Sequence, residues 1–190
     1  MYAYHMKIIP TPLDGLCVIE PQVFPDARGF FMKIWNTDAF RLAGLPGEFA
    51  EENQSRSRRG VVRGLHFQWD RPLGKLIRVL RGRAYMAGVD IRKKSPTRGQ
   101  WFGAEFTGEN RLMMYAPPGI ATGFLSLEDP TEIQYNYSVP HNPGGEGVIS
   151  WNDPVIGVSW PLEGPPALSV RDAGAQSLDA WLARPESDYF

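Results

Sequence analysis

The run Arg63-Gly64-Leu65-His66-Phe67-Gln68, with Lys75-Leu76 close behind it, sets a histidine between two fixed cations. The chain holds three histidines, and this one lies in an apolar run with Val61, Val62, Leu65 and Phe67 that reads as strand. An imidazole changes charge near neutral pH, so His66 is a candidate general base. Arg63 and Lys75 offer positive charge to an anionic substrate, or to an oxyanion as it develops. Taken alone, the same residues also fit a satisfied core histidine with two solvated cations. Arg56, Arg58 and Arg59 form a basic patch just before this run. They read either as a solvated loop or as guanidinium forks for a diphosphate at a barrel mouth.

Such side chains need a rigid frame, and the spacing of turns suggests which one. Glycine (20) and proline (17) punctuate short runs rich in β-branched and aromatic residues. These are 15–20, 30–35, 61–68, 75–80, 84–91, 100–106, 111–115 and 133–137. Their length suits an antiparallel sandwich or barrel rather than alternating β-α units. Two segments read as helix: 37–43, with Thr37 or Asp38 as N-cap, and 177–183. Pro117-Pro118-Gly119 before Ala121-Thr122-Gly123-Phe124 reads as a tight turn feeding a strand. The expectation is one mainly β domain, 1–190, with a few short helices.

Composition narrows the function class. Twenty Lys plus Arg against 21 Asp plus Glu leave a net charge of -1, unlike the basic excess of a nucleic-acid binder. The single cysteine, Cys17, cannot form an internal disulfide. There is no long apolar run for a membrane span, and Met1–His5 has no signal-peptide character. A soluble, cytoplasmic protein with neither nucleic-acid nor membrane partners is expected.

Read in order, further motifs point to a family. They are Asp26-Ala27-Arg28-Gly29-Phe30-Phe31, Asn53-Gln54-Ser55-Arg56-Ser57, Val62-Arg63-Gly64-Leu65-His66-Phe67-Gln68 and Gly74-Lys75-Leu76. Val89-Asp90-Ile91-Arg92 with Ser95-Pro96-Thr97, Pro117-Pro118-Gly119, Trp151-Asn152-Asp153-Pro154 and Trp160-Pro161 follow. Each is weak alone; together, over about 23–172, they make the chain resemble the dTDP-4-dehydrorhamnose 3,5-epimerase family. The resemblance implies a double-stranded β-helix (cupin jelly roll) and a homodimer with exchanged strands. It also implies epimerisation at C3 and C5 of a dTDP-4-keto-6-deoxyhexose without organic cofactor. Metal is not expected either, because His5, His66 and His141 lack the His-x-His spacing of metal-binding cupins.

A C–H beside a ketone ionises only if the enolate is stabilised as it forms. The chemistry therefore asks for a base on one face, a cation at the carbonyl oxygen and an acid on the other face. By resemblance His66 is the base and Asp172 the buried carboxylate that orients it. Lys75 would meet the oxyanion, and Tyr135 would return the proton. The resemblance places Arg28, Asn53 and Arg63 at or near the diphosphate, and Phe24 and Arg171 near the nucleotide. Without it, Tyr135 reads as a wall aromatic and Asp172 as a helix cap.

The chain also departs from the family pattern. Thr122 stands where the family has a second histidine, a hydroxyl that cannot carry charge near pH 7. Lys33 replaces an acid, Glu51 a glutamine, Asn136 a lysine, and Pro140-His141 a tyrosine pair. These changes leave base and acid in place while altering what touches the substrate, so retained proton chemistry with a shifted substrate or one inverted centre is expected. A 4-keto-sugar ketoisomerase and a sugar-nucleotide-binding cupin without catalysis are the competing readings.

Overall fold

The computed structural model describes residues 6–190, so Met1–His5, including His5, lie outside the described residues. The punctuated runs form β1 (Met6–Pro10), β2 (Cys17–Pro21), β3 (Val23–Asp26), β4 (Gly29–Met32), β5 (Glu51–Ser57), β6 (Val62–Gln68) and β7 (Lys75–Arg81). Then follow β8 (Arg83–Asp90), β9 (Trp101–Thr107), β10 (Met113–Ala116), β11 (Ile120–Ser126), β12 (Thr131–Tyr137) and β13 (Glu146–Val148). The helices are short: α1 (Thr37–Leu42), α2 (Val170–Ala173) and α3 (Leu178–Leu182). One sheet runs β1-β2-β10-β7-β12-β5, a second β13-β6-β11-β8-β9, and β3-β4 stand apart as a hairpin. Neighbouring strands within each sheet are antiparallel.

Alternation decides which side chains meet between the sheets. On β7, Ile77 and Val79 face the partner sheet while Leu76 points outward. Ile133 of β12 joins them, and Met86 and Phe124 come from the other sheet, so the two sheets share one core. Leu76, Ile19 and Met113 instead pack under Phe40 of α1. Leu65, Phe67, Val89 and Ala121 cover the far side with Trp181 of α3. This is the jelly-roll arrangement, a double-stranded β-helix. Lys75 precedes Ile77 on the inward stripe, so a polar side chain is delivered to one end of the shared core.

Several boundaries shift from expectation. The run 30–35 leaves the strand after Met32. Helix α1 is capped by Asn36, not Thr37 or Asp38: Asn36 Oδ1 accepts from Ala39 N at 3.0 Å. Ser177 caps α3, accepting from Ala180 N at 3.1 Å.

The loop after β8 hangs on one carboxylate. Asp90, 0% exposed, accepts from Arg92 N (3.0 Å), Nε (2.9 Å) and Nη2 (2.7 Å), and from Ser95 Oγ (2.5 Å) and Thr97 Oγ1 (2.6 Å). Burial tends to raise its pKa, but these donors win and hold it below the ordinary value. Asp90→Ala should therefore cost about 3–5 kcal/mol, since the partners stay behind unpaired. Urea melts would show a lower midpoint at unchanged slope; a loss below about 1 kcal/mol would mean that water replaces the carboxylate.

Candidate active site

Arg63 and His66 are three apart on β6, so simple alternation would send them to opposite faces. The ladder prevents this. Thr122 pairs with His66 and Phe124 with Arg63, so three steps on β6 oppose two on β11. That irregularity returns both side chains to one cavity of about 240 Å³. Gly64 makes it possible: its φ is +130°, and a Cβ there would lie 2.5 Å from Gly123 Cα. Both glycines serve this close approach.

The cavity opens between the two sheets. From the five-stranded sheet come Arg63, His66, Thr122 and Glu146; from the six-stranded sheet come Asn53, Ser55, Lys75, Tyr135 and Tyr137. His66 Nε2 lies 2.6 Å from Asp172 Oδ1, and the carboxylate is only 3% exposed. Asp172 Oδ2 accepts from Ser169 Oγ at 2.7 Å, and Gly64 N donates to Oδ1 at 3.4 Å. Burial would raise the Asp172 pKa, but His66, Ser169 and Gly64 together hold it below the usual value. An ionised Asp172 accepts the Nε2 proton, which leaves Nδ1 of His66 as the nitrogen with a free lone pair.

Asp172 is not the cap of a helix. Ser169 caps α2, and Asp172 sits inside that helix. Ser169 Oγ accepts from Asp172 N at 3.0 Å while donating to its carboxylate, which locks the side chain toward His66. The Ser-x-x-Asp spacing was visible in sequence and would have pointed to this arrangement.

Lys75 and Tyr135 occupy the opposite wall. Lys75 Nζ donates to His66 O at 3.0 Å and to Thr122 Oγ1 at 3.1 Å. Burial pushes its amine down to about 8; Glu146 opposes the shift and Arg171 adds to it. Tyr135 Oη lies 3.0 Å from Ser55 Oγ. Burial pushes the phenol up to about 12, against the Ser55 hydrogen bond, so it holds its proton at neutral pH.

Glu146 was missed in sequence, hidden in a glycine-rich turn. It accepts from Arg171 Nη1 at 2.5 Å and lies 3.3 Å from His141 Nε2. His141 N also donates to Glu51 Oε2 at 2.8 Å, so two of the family departures touch each other. Glu51 further accepts from Asn53 Nδ2 at 2.8 Å. Arg63 Nε donates to Ser57 Oγ at 3.1 Å. A second cavity of about 410 Å³ continues past His66 and is bordered by Arg63, Arg171 and Asp172.

Other expected residues are not brought to this cavity. Arg28 lies on the β3-β4 hairpin, 89% exposed and paired with Asp26 at 2.6 Å. Phe24 shares that hairpin. Lys33 and Asn136 border a separate cavity of about 580 Å³. The Arg56, Arg58 and Arg59 patch is exposed, and Arg59 pairs with Glu163. These three guanidiniums do not line the 240 Å³ cavity. Among the described residues, no group of three or more His, Cys, Asp or Glu is placed to hold a metal ion.

The family profile described as dTDP-4-dehydrorhamnose 3,5-epimerase matches residues 10–180. The chain is 45% identical over 157 residues to a dTDP-4-dehydrorhamnose 3,5-epimerase of Methanothermobacter thermautotrophicus, covering 83% of this chain and 85% of that protein. A dTDP-6-deoxy-D-glucose-3,5-epimerase of Legionella pneumophila, solved with dTDP-4-keto-L-rhamnose, superposes with a TM-score of 0.90 at 40% identity, covering 94% and 97% of the two chains. A 3′-monoepimerase of Streptomyces bikiniensis, solved with dTDP-quinovose, gives a TM-score of 0.86 at 31% identity, covering 90% and 87%.

Proposed function

The chain belongs to the dTDP-4-dehydrorhamnose 3,5-epimerase family, and we propose that its cavity epimerises a dTDP-linked 4-keto-6-deoxyhexose with His66 as base and Tyr135 as acid. One observation carries the assignment of roles: His66 and Tyr135 border a single cavity from opposite sheets, with Lys75 bordering it too. A planar enolate held there presents one face to each.

The steps follow from the residues. His66 removes the proton from C3 or C5, the C–H electron pair becomes a double bond to C4, and the carbonyl π pair moves to the oxygen. The Lys75 ammonium stabilises the resulting enolate oxygen. Tyr135 then delivers its proton to the opposite face, the carbonyl re-forms, and the centre is inverted. Asp172 stays ionised and favours the imidazolium that His66 becomes. No step requires an organic cofactor or a metal.

The cavity of about 240 Å³ is smaller than the roughly 300–1,000 Å³ of pockets that enclose a drug-sized ligand. It suits the sugar ring alone. The diphosphate would then follow the neighbouring cavity, where Arg63 and Arg171 supply two guanidiniums. Asn53, Thr122 and Arg63 would line the path of the sugar. Arg28 and Phe24 fit a dimer of exchanged strands, in which the exposed hairpin of one subunit reaches the substrate of its partner. Phe30 (51% exposed) and Phe31 (64% exposed) on that hairpin support such a contact. We read 1–190 as one cupin-like domain, acting in the cytoplasm. No helix among the described residues is long and apolar enough to cross a membrane.

The test is proton NMR of dTDP-4-keto-6-deoxyglucose in D2O with the pure protein. Deuterium should enter at C3, C5 or both, with inversion. Because Thr122 replaces a histidine, one centre should exchange at least about tenfold faster than the other. Matched rates would make Thr122 neutral for regiochemistry. No exchange would leave an inert binder, and a displaced carbonyl would mean a ketoisomerase.

A further inference from the structure

Thr122 reads from sequence as a sugar contact left behind by a lost histidine. Its hydrogen bonds point elsewhere. The side chain is 6% exposed, and Oγ1 accepts from Lys75 Nζ at 3.1 Å. The same hydroxyl donates toward His66 O at 3.5 Å. At 3.5 Å this second contact is long for an O–H···O bond, so the Lys75 bond is the one that fixes the hydroxyl. Lys75, itself 8% exposed, donates to that same His66 carbonyl at 3.0 Å.

We propose that Thr122 is a positioning residue, whose hydroxyl and the His66 carbonyl hold two Lys75 N–H bonds so that the third points into the cavity at the enolate oxygen. An ammonium has three donors on a flexible four-carbon stem, so pinning two of them fixes the third. The clamp joins β6, which carries the base and the bulge, β7, which carries the oxyanion donor, and β11. It rests on the reading of the cavity as an epimerase site. It also explains how the chain can dispense with the family's second histidine, since threonine offers Lys75 an acceptor that never becomes a cation.

Lys75 is the one titrating group in this clamp, and its surroundings are mixed. Arg63 and His66 face it from β6, Glu146 from β13, and Tyr135 and Tyr137 from β12, the Tyr137 ring centroid lying 6.0 Å from Nζ, while Arg171 of α2 acts on its charge. Burial already pulls its amine down to about 8. Loss of an acceptor for the charged form would pull it lower still.

The experiment compares wild type, Thr122→Val and Thr122→Ser by solvent exchange at C3 and C5 across pH. Thr122→Val keeps the branched shape and removes the hydroxyl. Its kcat should fall about ten- to hundredfold, because the oxyanion donor is no longer aimed. KM should change by less than about threefold. The alkaline limb of the kcat profile should move to lower pH, and Thr122→Ser should recover most of both changes. A raised KM with unchanged kcat and limb would make Thr122 a sugar contact and overturn the clamp. If Thr122→Val does not fold, Thr122→Ala takes its place, and an alkaline limb shared by Thr122→Ala and Thr122→Ser overturns the proposal equally. NMR titration of the Lys75 side chain, 13C-labelled at Cε, reads the clamp without turnover. An unshifted Lys75 titration in the hydroxyl-free variant refutes the clamp, whereas a wild type that exchanges neither C3 nor C5 refutes the epimerase reading instead.

Discussion

His66→Asn should reduce solvent exchange at every sugar carbon by at least about 10²–10⁴-fold, the usual worth of a positioned base. Asparagine keeps the polarity and much of the size, so dTDP binding should survive and report a folded site. The expectation rests on the pair with Asp172: at 2.6 Å, with the carboxylate 3% exposed, His66 is oriented by an anion that stays ionised. Asp172→Asn should cost less than removal of the base, though still about 10²-fold or more. An amide in place of the carboxylate can present its N–H to Nε2, which favours the wrong tautomer, and it no longer balances the imidazolium. Residual exchange within about tenfold of wild type in His66→Asn would move the base to another residue.

Legibility of the site followed the physics of each element. The apolar strands around His66 and Lys75 stood out because their outward residues pack under Trp181 and Phe40. β5 did not, although it carries Asn53 and Ser55. Its sequence Glu51-Glu52-Asn53-Gln54-Ser55-Arg56-Ser57 is polar on both faces, since its inward side lines a polar cavity rather than core, and no hydrophobic alternation remains to read. The side-chain parity of Arg63 and His66 was likewise hidden, because a bulge depends on how β6 meets β11 and not on β6 alone. Asp172 lies 106 residues from His66, and only the family resemblance joined them in sequence. The fold pattern needed local periodicity; the dyad needed tertiary contact. Arg28 and Phe24 belong to a third case: the resemblance placed them by the nucleotide sugar, whereas they lie on the β3-β4 hairpin and do not line the cavity.

Tyr135→Phe should separate two events that wild type couples. The substitution removes only a hydroxyl, so the ring still packs against the core and opposite Asn53. His66, Asp172 and Lys75 remain, and the base can still form the enolate and return the proton to the same face. Deuterium should therefore continue to enter at C3 or C5 while inversion falls by about 10²-fold or more, within the range for loss of a general acid. The direction follows from the phenol itself: pushed up to about 12 by burial, it is loaded with its proton throughout the neutral range and can act only as the donor in this direction. Proton NMR separates the outcomes, since exchange without inversion leaves the starting diastereomer labelled. Ser55→Ala offers a milder companion, because it takes away the hydroxyl that lies 3.0 Å from Tyr135 Oη without touching the acid. If Tyr135→Phe inverts at the wild-type rate, the acid lies elsewhere, and Tyr137, which borders the same cavity, becomes the group to change next.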